Sequence, residues 1–253
     1  HWFYTEYIKN DQIQDKKIWK FLMEDNLSLS ESYMTSLKQM YTGVWYERMI
    51  LGNWVAAEGR IYDMFDPQKH MANTAKLIKA ANVHPNAIKW LVGCDYGTST
   101  VMSWGLYAKM PGGNIYKVRE FYYDAVKRKV QKTDGEFLED FKQWLGKTTP
   151  HVVYCDPSAA SWKVLLMRNG YRVQNANNDV VNGIRYVSTC LNSGTYIIDT
   201  SCVNTEKEYA SYVWNSDAQR VGVDKPVKEH DHTCDTDRYV LYTESIAGMT
   251  GIY

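Results

Sequence analysis

Ile88-Lys89-Trp90-Leu91-Val92-Gly93-Cys94-Asp95-Tyr96-Gly97-Thr98-Ser99-Thr100 is the stretch on which the fold turns. It begins as a mostly apolar run rich in large and β-branched side chains, then gives way at Asp95 to small and polar turn formers. That is the pattern of a buried strand ending at a polar residue. Residues 101–109 repeat it as a second strand. Pro111-Gly112-Gly113-Asn114 supplies turn chemistry, and residues 115–123 read as a third strand. Three strands in succession with short turns predict an antiparallel meander.

Downstream, the pattern alternates. Helical periodicity covers 134–145, 161–169, 179–191, 204–214 and 231–244, with strands at 151–156 and 171–174 and a further one at 195–198. The order βββαβαβα predicts an α/β protein with a mixed sheet. The meander joins parallel strands through right-handed helical crossovers, with helices flanking the sheet. This is the order of a ribonuclease H-like fold. There is no internal repeat and no low-complexity tract.

Upstream, residues 1–55 read differently from residues 56–253. Trp2-Phe3-Tyr4 opens a short extended stretch, and Asp15-Lys16-Lys17 is charged. Ser28 and Glu31 have capping-box spacing, although Ser30 serves equally as the cap. Helical spacing then runs through Tyr33, Leu37, Met40 and Tyr41; Gly43 interrupts it, and a second short helix over 44–51 reaches Gly52. The segment carries no strand pattern. We read it as the tail of an upstream domain and a connector, with the sheet domain following.

Composition narrows the function classes only a little. Lys and Arg total 29, as do Asp and Glu, so the formal net charge is zero and a strongly basic nucleic-acid coat protein is excluded. No secretory leader pattern is present, and no apolar run approaches the about 20 residues that span a bilayer. The five cysteines form no C-x-x-C pair, which suits free thiols in a reducing cytoplasm. The first residue is His1 in place of Met, as expected for an excised part of a longer polypeptide.

Three aspartates stand where this strand order would gather them. Asp95 ends the first strand, Asp156 ends the fourth, and Asp235 sits on the last helix. Parallel neighbouring strands lie about 4.8 Å apart, so Asp95 and Asp156 would face each other at one sheet edge. Cys94 and Cys155 would then point to the opposite face. A lone Asp at a strand end is commonly a turn or cap residue; three on one converging set point further. Clustered carboxylates repel unless a cation offsets them, and hard oxygen donors suit Mg²⁺ or Mn²⁺. Two such ions about 4 Å apart activate water and stabilise a leaving phosphodiester oxygen. His232 and Asp231 share a helix face with Asp235, and His232 could orient a water or carry a proton. Asp237 falls on another side and reads as a surface charge.

Several segments together resemble the large subunit of tailed-phage terminases, in its C-terminal nuclease domain. Trp45-Tyr46-Glu47-Arg48-Met49-Ile50-Leu51-Gly52-Asn53-Trp54-Val55-Ala56-Ala57-Glu58-Gly59 is similar to the passage from the motor ATPase into the nuclease. Gly93-Cys94-Asp95-Tyr96-Gly97 resembles the first acidic motif and Tyr154-Cys155-Asp156-Pro157-Ser158-Ala159-Ala160 the second. Asn178-Asp179-Val180-Val181-Asn182-Gly183-Ile184 and Tyr212-Val213-Trp214 match intervening segments. Asp231-His232-Thr233-Cys234-Asp235-Thr236-Asp237-Arg238-Tyr239 resembles the third, a D-H-x-x-D-x-x-R-Y pattern, departing from it at Asp237, where an apolar residue is expected.

The resemblance implies an endonuclease that cuts concatemeric phage DNA during genome packaging. It implies Asp95, Asp156 and Asp235 as metal-ligating catalytic residues, with His232 beside them. Double-stranded DNA, an upstream ATPase domain in the same polypeptide, a small terminase subunit and the portal are the implied partners. The implied setting is the host cytoplasm, transiently at the procapsid portal. No G-x-x-x-x-G-K-[ST] phosphate loop occurs in these residues, so no ATPase activity is expected of them.

Lys127, Arg128, Lys129 and Lys132 form the densest basic run, and Lys228 precedes the third motif. All five are candidate phosphate contacts, with nothing suited to base-specific readout. Two other readings compete with this one. An actin- or sugar-kinase-like nucleotide-binding domain would use Asp95-Tyr96-Gly97-Thr98-Ser99-Thr100 as a phosphate hairpin, but it needs a duplicated second half that the chain is too short to hold. A zinc module on His230, His232 and Cys234 fails because alternate residues of a helix do not share a face.

Overall fold

Turn chemistry and alternation produce the meander where the sequence places it. In the computed structural model, which describes residues 3–250, it comprises β2 (Lys89–Asp95), β3 (Val101–Lys109) and β4 (Ile115–Asp124), paired antiparallel. Before it lies β1 (Met71–Ala72), and after it β5 (Val152–Cys155), β6 (Val173–Asn175) and β7 (Tyr196–Asp199). The seven strands form one mixed sheet in the order β1-β7-β4-β3-β2-β5-β6. β5 lies parallel to β2, with Cys94 opposite Cys155.

The helices are α1 (Glu31–Met40), α2 (Gly43–Met49), α3 (Pro67–His70), α4 (Thr74–Ala80), α5 (Ala125–Arg128) and α6 (Asp134–Leu145). They continue as α7 (Ala160–Arg168), α8 (Val180–Asn192), α9 (Val203–Ser211), α10 (Ser216–Arg220) and α11 (His232–Thr250). Thr133 and Glu136 start α6 with a capping box, two mutually satisfied donors. Alternation along the central strands feeds two cores. Val92, Cys94 and Cys155 join Phe137, Phe141 and Trp162 on the α6–α7 face. Leu91 and Tyr154 join Ile184, Tyr209, Tyr239 and Val240 on the α8–α9–α11 face. Gly93 lets α11 settle onto the sheet: a Cβ there would stand 2.5 Å from the Thr236 carbonyl oxygen.

Three readings of the sequence need correction, and one open choice is decided. The Phe3–Tyr4 stretch is not extended, because Tyr4–Ile8 forms a π-helical turn. Phe3 stacks on Tyr7, four residues on, at 5.3 Å, and Tyr4 stacks on Trp54 at 5.3 Å; Trp2 lies outside the described residues. Between the two capping serines, Ser30 is the cap, accepting from Tyr33 N at 3.3 Å. The 204–214 helix stops at Ser211, since Val213 and Trp214 leave it to bridge Arg60 and Pro226. Asp237 is not a surface charge. It is fully buried and pairs with the equally buried Lys117 at 2.7 Å.

The added edge formed by β7 and β1 extends the sheet beyond the meander, with β7 parallel to β4. Among the described residues, 3–55 contain no strand, as the sequence predicts. They are tied to the sheet domain by Trp45, which enters its core, and by Arg48, which pairs with Asp224. No helix among the described residues is long and apolar enough to cross a membrane.

Candidate metal centre and active site

Asp95, Asp156, His232 and Asp235 meet at one end of the sheet. β2 and β5 run parallel and end at Asp95 and beside Asp156, whose N–H donates to the Cys94 carbonyl at 3.4 Å. Their thiol neighbours Cys94 and Cys155 are buried on the opposite face, as strand alternation requires. α11 crosses the other face and presents its first turn. His232 Nδ1 lies 2.8 Å from Asp95 Oδ2. One helical turn later the Arg238 guanidinium donates to Asp235 Oδ1 at 2.9 Å, and the Tyr239 hydroxyl donates to Asp156 Oδ2 at 2.7 Å. The closing R-Y of the third motif therefore orients the two other carboxylates.

The site is electrostatically loaded. Burial pushes the Asp95 carboxyl up against the hydrogen bond from His232, and the charges of Asp235 and Asp156 push the same way. Burial also pushes Asp156 up, but hydrogen bonds from Ser158 and Tyr239 outweigh it and hold this carboxyl below its ordinary value. Burial and then the Asp235 charge push Asp231 up to about 6. Burial lowers the His232 imidazole, yet the bond and charge of Asp95 outweigh it and the net shift is upward.

The donor set suits a hard divalent cation in chemistry. Asp235 and Asp156 approach closely enough for their charges to push up Asp95, and a fourth carboxylate, Asp231, keeps a buried Oδ2 with no hydrogen-bond partner. Each of the three is nevertheless drawn to a partner of its own. Among the described residues no three His, Cys, Asp or Glu side chains converge as a ready cage. Arg238 and Tyr239 each engage one carboxylate oxygen, and hydrogen bonds of this kind can orient metal-ligating carboxylates.

The five candidate phosphate contacts fall in two places. Lys228 belongs to the site, its Nζ 3.8 Å from Asp235 and 3.9 Å from Asp231. The others follow β4, whose end pairs with Val101 at the Asp95 end of the sheet. Of these, Lys127 pairs with Asp124 at 3.3 Å and Lys132 pairs with Asp140, while Arg128 lies over the Tyr123 ring at 5.1 Å. Lys129 is exposed in a left-handed conformation. Cys234 is buried in the apolar core, so it does not join His230 and His232 in a zinc site.

Reading the sequence missed Tyr122 and Glu208. Tyr122 sets its ring edge-on to His232 at 6.2 Å, and Glu208 accepts from Thr233. Neither lies in a motif, and only the packing of α9 and β4 against α11 reveals them.

No family model and no curated protein sequence matches this chain. Among solved structures, the large terminase of the thermophilic bacteriophage D6E, in complexes with ADP and with ATP-γ-S, superposes with a TM-score of 0.86 at 42% identity. The match covers 96% of this chain and 59–60% of that one, so the chain spans about three-fifths of its relative. The P22 large terminase nuclease domain shares the fold, with a TM-score of 0.58 at 16% identity over 75% of this chain and 94% of that one. The HK97 large terminase does so at 0.51 and 12%, covering 80% and 46%. In sequence and strand order the chain is similar to the bacteriophage large terminases, and it has the ribonuclease H-like fold of their nuclease domains.

Proposed function

We propose that this chain is a metal-dependent DNA endonuclease that cuts concatemeric phage DNA during packaging. The observation that carries the reading is the meeting of Asp95, Asp156, His232 and Asp235 at one sheet end. Asp95, Asp156 and Asp235 supply hard oxygen donors. Mg²⁺ or Mn²⁺ bound by them, as two ions, supplies Lewis-acid activation of water and stabilisation of the leaving oxygen.

The remaining roles belong to the protein's own residues. With Nδ1 committed to Asp95, His232 exchanges any proton through Nε2, and its place beside the carboxylates suits it to carry one. Tyr239 and Arg238 orient Asp156 and Asp235. Lys228 and the Lys127-Arg128-Lys129 run with Lys132 contact the phosphate backbone, which gives sequence-tolerant binding. Residues 1–55 serve as the tail of an upstream ATPase domain and its connector to the nuclease. A small terminase subunit and the portal, in the host cytoplasm, set the timing of the cut.

The test incubates the chain with supercoiled plasmid in Mn²⁺, Mg²⁺ or EDTA, beside Asp156→Asn and Asp235→Asn. Metal-dependent nicking and linearisation are expected, with at least a hundredfold loss in both variants. A wild type that cuts in EDTA, or variants that cut as fast as it does, would overturn the reading. A wild type inert in every metal that binds ATP would favour a nucleotide-binding domain.

A further inference from the structure

Glu208 lies on α9, outside every acidic motif, and is 4% exposed. A buried carboxylate is costly unless its oxygens are satisfied. Here Oε2 accepts from both the backbone N–H and the hydroxyl of Thr233, each at 2.6 Å, and Oε1 accepts from the Tyr122 hydroxyl at 2.9 Å. Both sets of donors flank His232. Thr233 follows it in the first turn of α11, and the Tyr122 ring stands against its imidazole.

A helix usually takes its N-terminal cap from the residue just before it. α11 takes this one from another helix, while Asp231, the preceding residue, leaves Oδ2 without a hydrogen-bond partner. The source of the cap is itself fixed. On β4, two residues from Tyr122 and on the same face, Glu120 accepts from the N–H groups of Asn204 and Thr205 at 2.7 and 3.0 Å, which anchors the first turn of α9. Hydrogen bonds thus tie α9 to both β4 and α11 on the side of the site where His232 lies.

We propose that Glu208 is a positioning residue for the His232–Asp95 pair, clamping the imidazole through Thr233 on one side and Tyr122 on the other. The activity readout rests on the nuclease reading; the histidine readout does not. The test compares wild type with Glu208→Gln and Tyr122→Phe. Each is assayed well below its own melting midpoint for kcat and KM on plasmid, and by ring ¹H–¹⁵N correlation of His232, assigned by its loss in His232→Gln.

Misplacement of the imidazole by a fraction of an ångström to about 1 Å predicts a kcat loss of about 10- to 100-fold in Glu208→Gln. A smaller loss is expected in Tyr122→Phe, with KM within about threefold and His232 ring resonances shifted in both. A purely structural Glu208 would lower the melting midpoint and leave kcat and the ring resonances of the folded protein unchanged, and that result overturns the proposal. Should Glu208→Gln fail to fold, Tyr122→Phe decides by the same criteria. If the wild type cuts no DNA while the ring resonances still shift, the positioning role stands and the nuclease reading falls.

Discussion

Asp231 shows how a single side chain registers the charge gathered at this site. Its folded pKa stands at about 6 because burial, and then Asp235, disfavour the ionised form. Unfolded, it titrates near about 3.9. A carboxyl raised on folding contributes stability that is fully present below the unfolded value and is lost as pH rises through about 6. Metal-free Asp231→Asn is therefore expected to melt like wild type near pH 4. It should gain steadily above that and hold a plateau advantage above pH 6, of roughly 3–6 °C for about 1–2 kcal/mol. Thermal melts of both proteins from pH 4 to 8 in a chelator check this. A difference that stays flat with pH would mean that Asp231 ionises freely. Lys228, 3.9 Å away and mostly exposed, offsets only part of the cost.

At the scale of the element, α11 is held from several sides. Gly93 admits its backbone to the sheet, and Glu208 holds its first turn. Asp237 sets its rotation from below, accepting from Lys117, Tyr107 and Tyr209 where no solvent reaches. Burial alone would lower the Lys117 ammonium, but Asp237 outweighs it and the net shift is upward. Breaking one partner of such a pair strands a buried charge. Asp237→Asn is expected to lose about 3–5 kcal/mol in urea unfolding, while Lys117→Met with Asp237→Leu recovers only part of it, because the Tyr107 and Tyr209 hydroxyls still lose their acceptor. Equal stability of wild type and the single variant would show that the pair does not hold the helix. The same rotation carries Asp235 and Tyr239 to their partners, so this network connects the packing of α11 to the geometry of the site.

For the whole molecule, a formal net charge of zero means that affinity for DNA must come from local clusters. Helix α5 and the residue after it, at the Asp95 end of the sheet, carry three consecutive exposed cations. Replacing Lys127, Arg128 and Lys129 with Ala is expected to flatten the slope of log affinity against log salt by about 2–3, measured on duplex DNA in a chelator. An unchanged slope would place the DNA elsewhere. What the sequence by itself determined was the local grammar. Turn residues and hydrophobic alternation set the meander and the strand order. Each acidic motif lies at a strand end or a helix start, so Asp95, Asp156, His232 and Asp235 could be named together. Only the tertiary structure decided that Asp237 is buried, that Glu208 and Tyr122 brace His232, and that β7 and β1 extend the sheet past β4. The reason is one of distance along the chain. Periodicity reports which face of an element is apolar, but whether a charged residue on that face finds a partner depends on an element far away. Lys117 meets Asp237 across 120 positions and Glu208 meets Thr233 across 25, and no local pattern encodes either meeting.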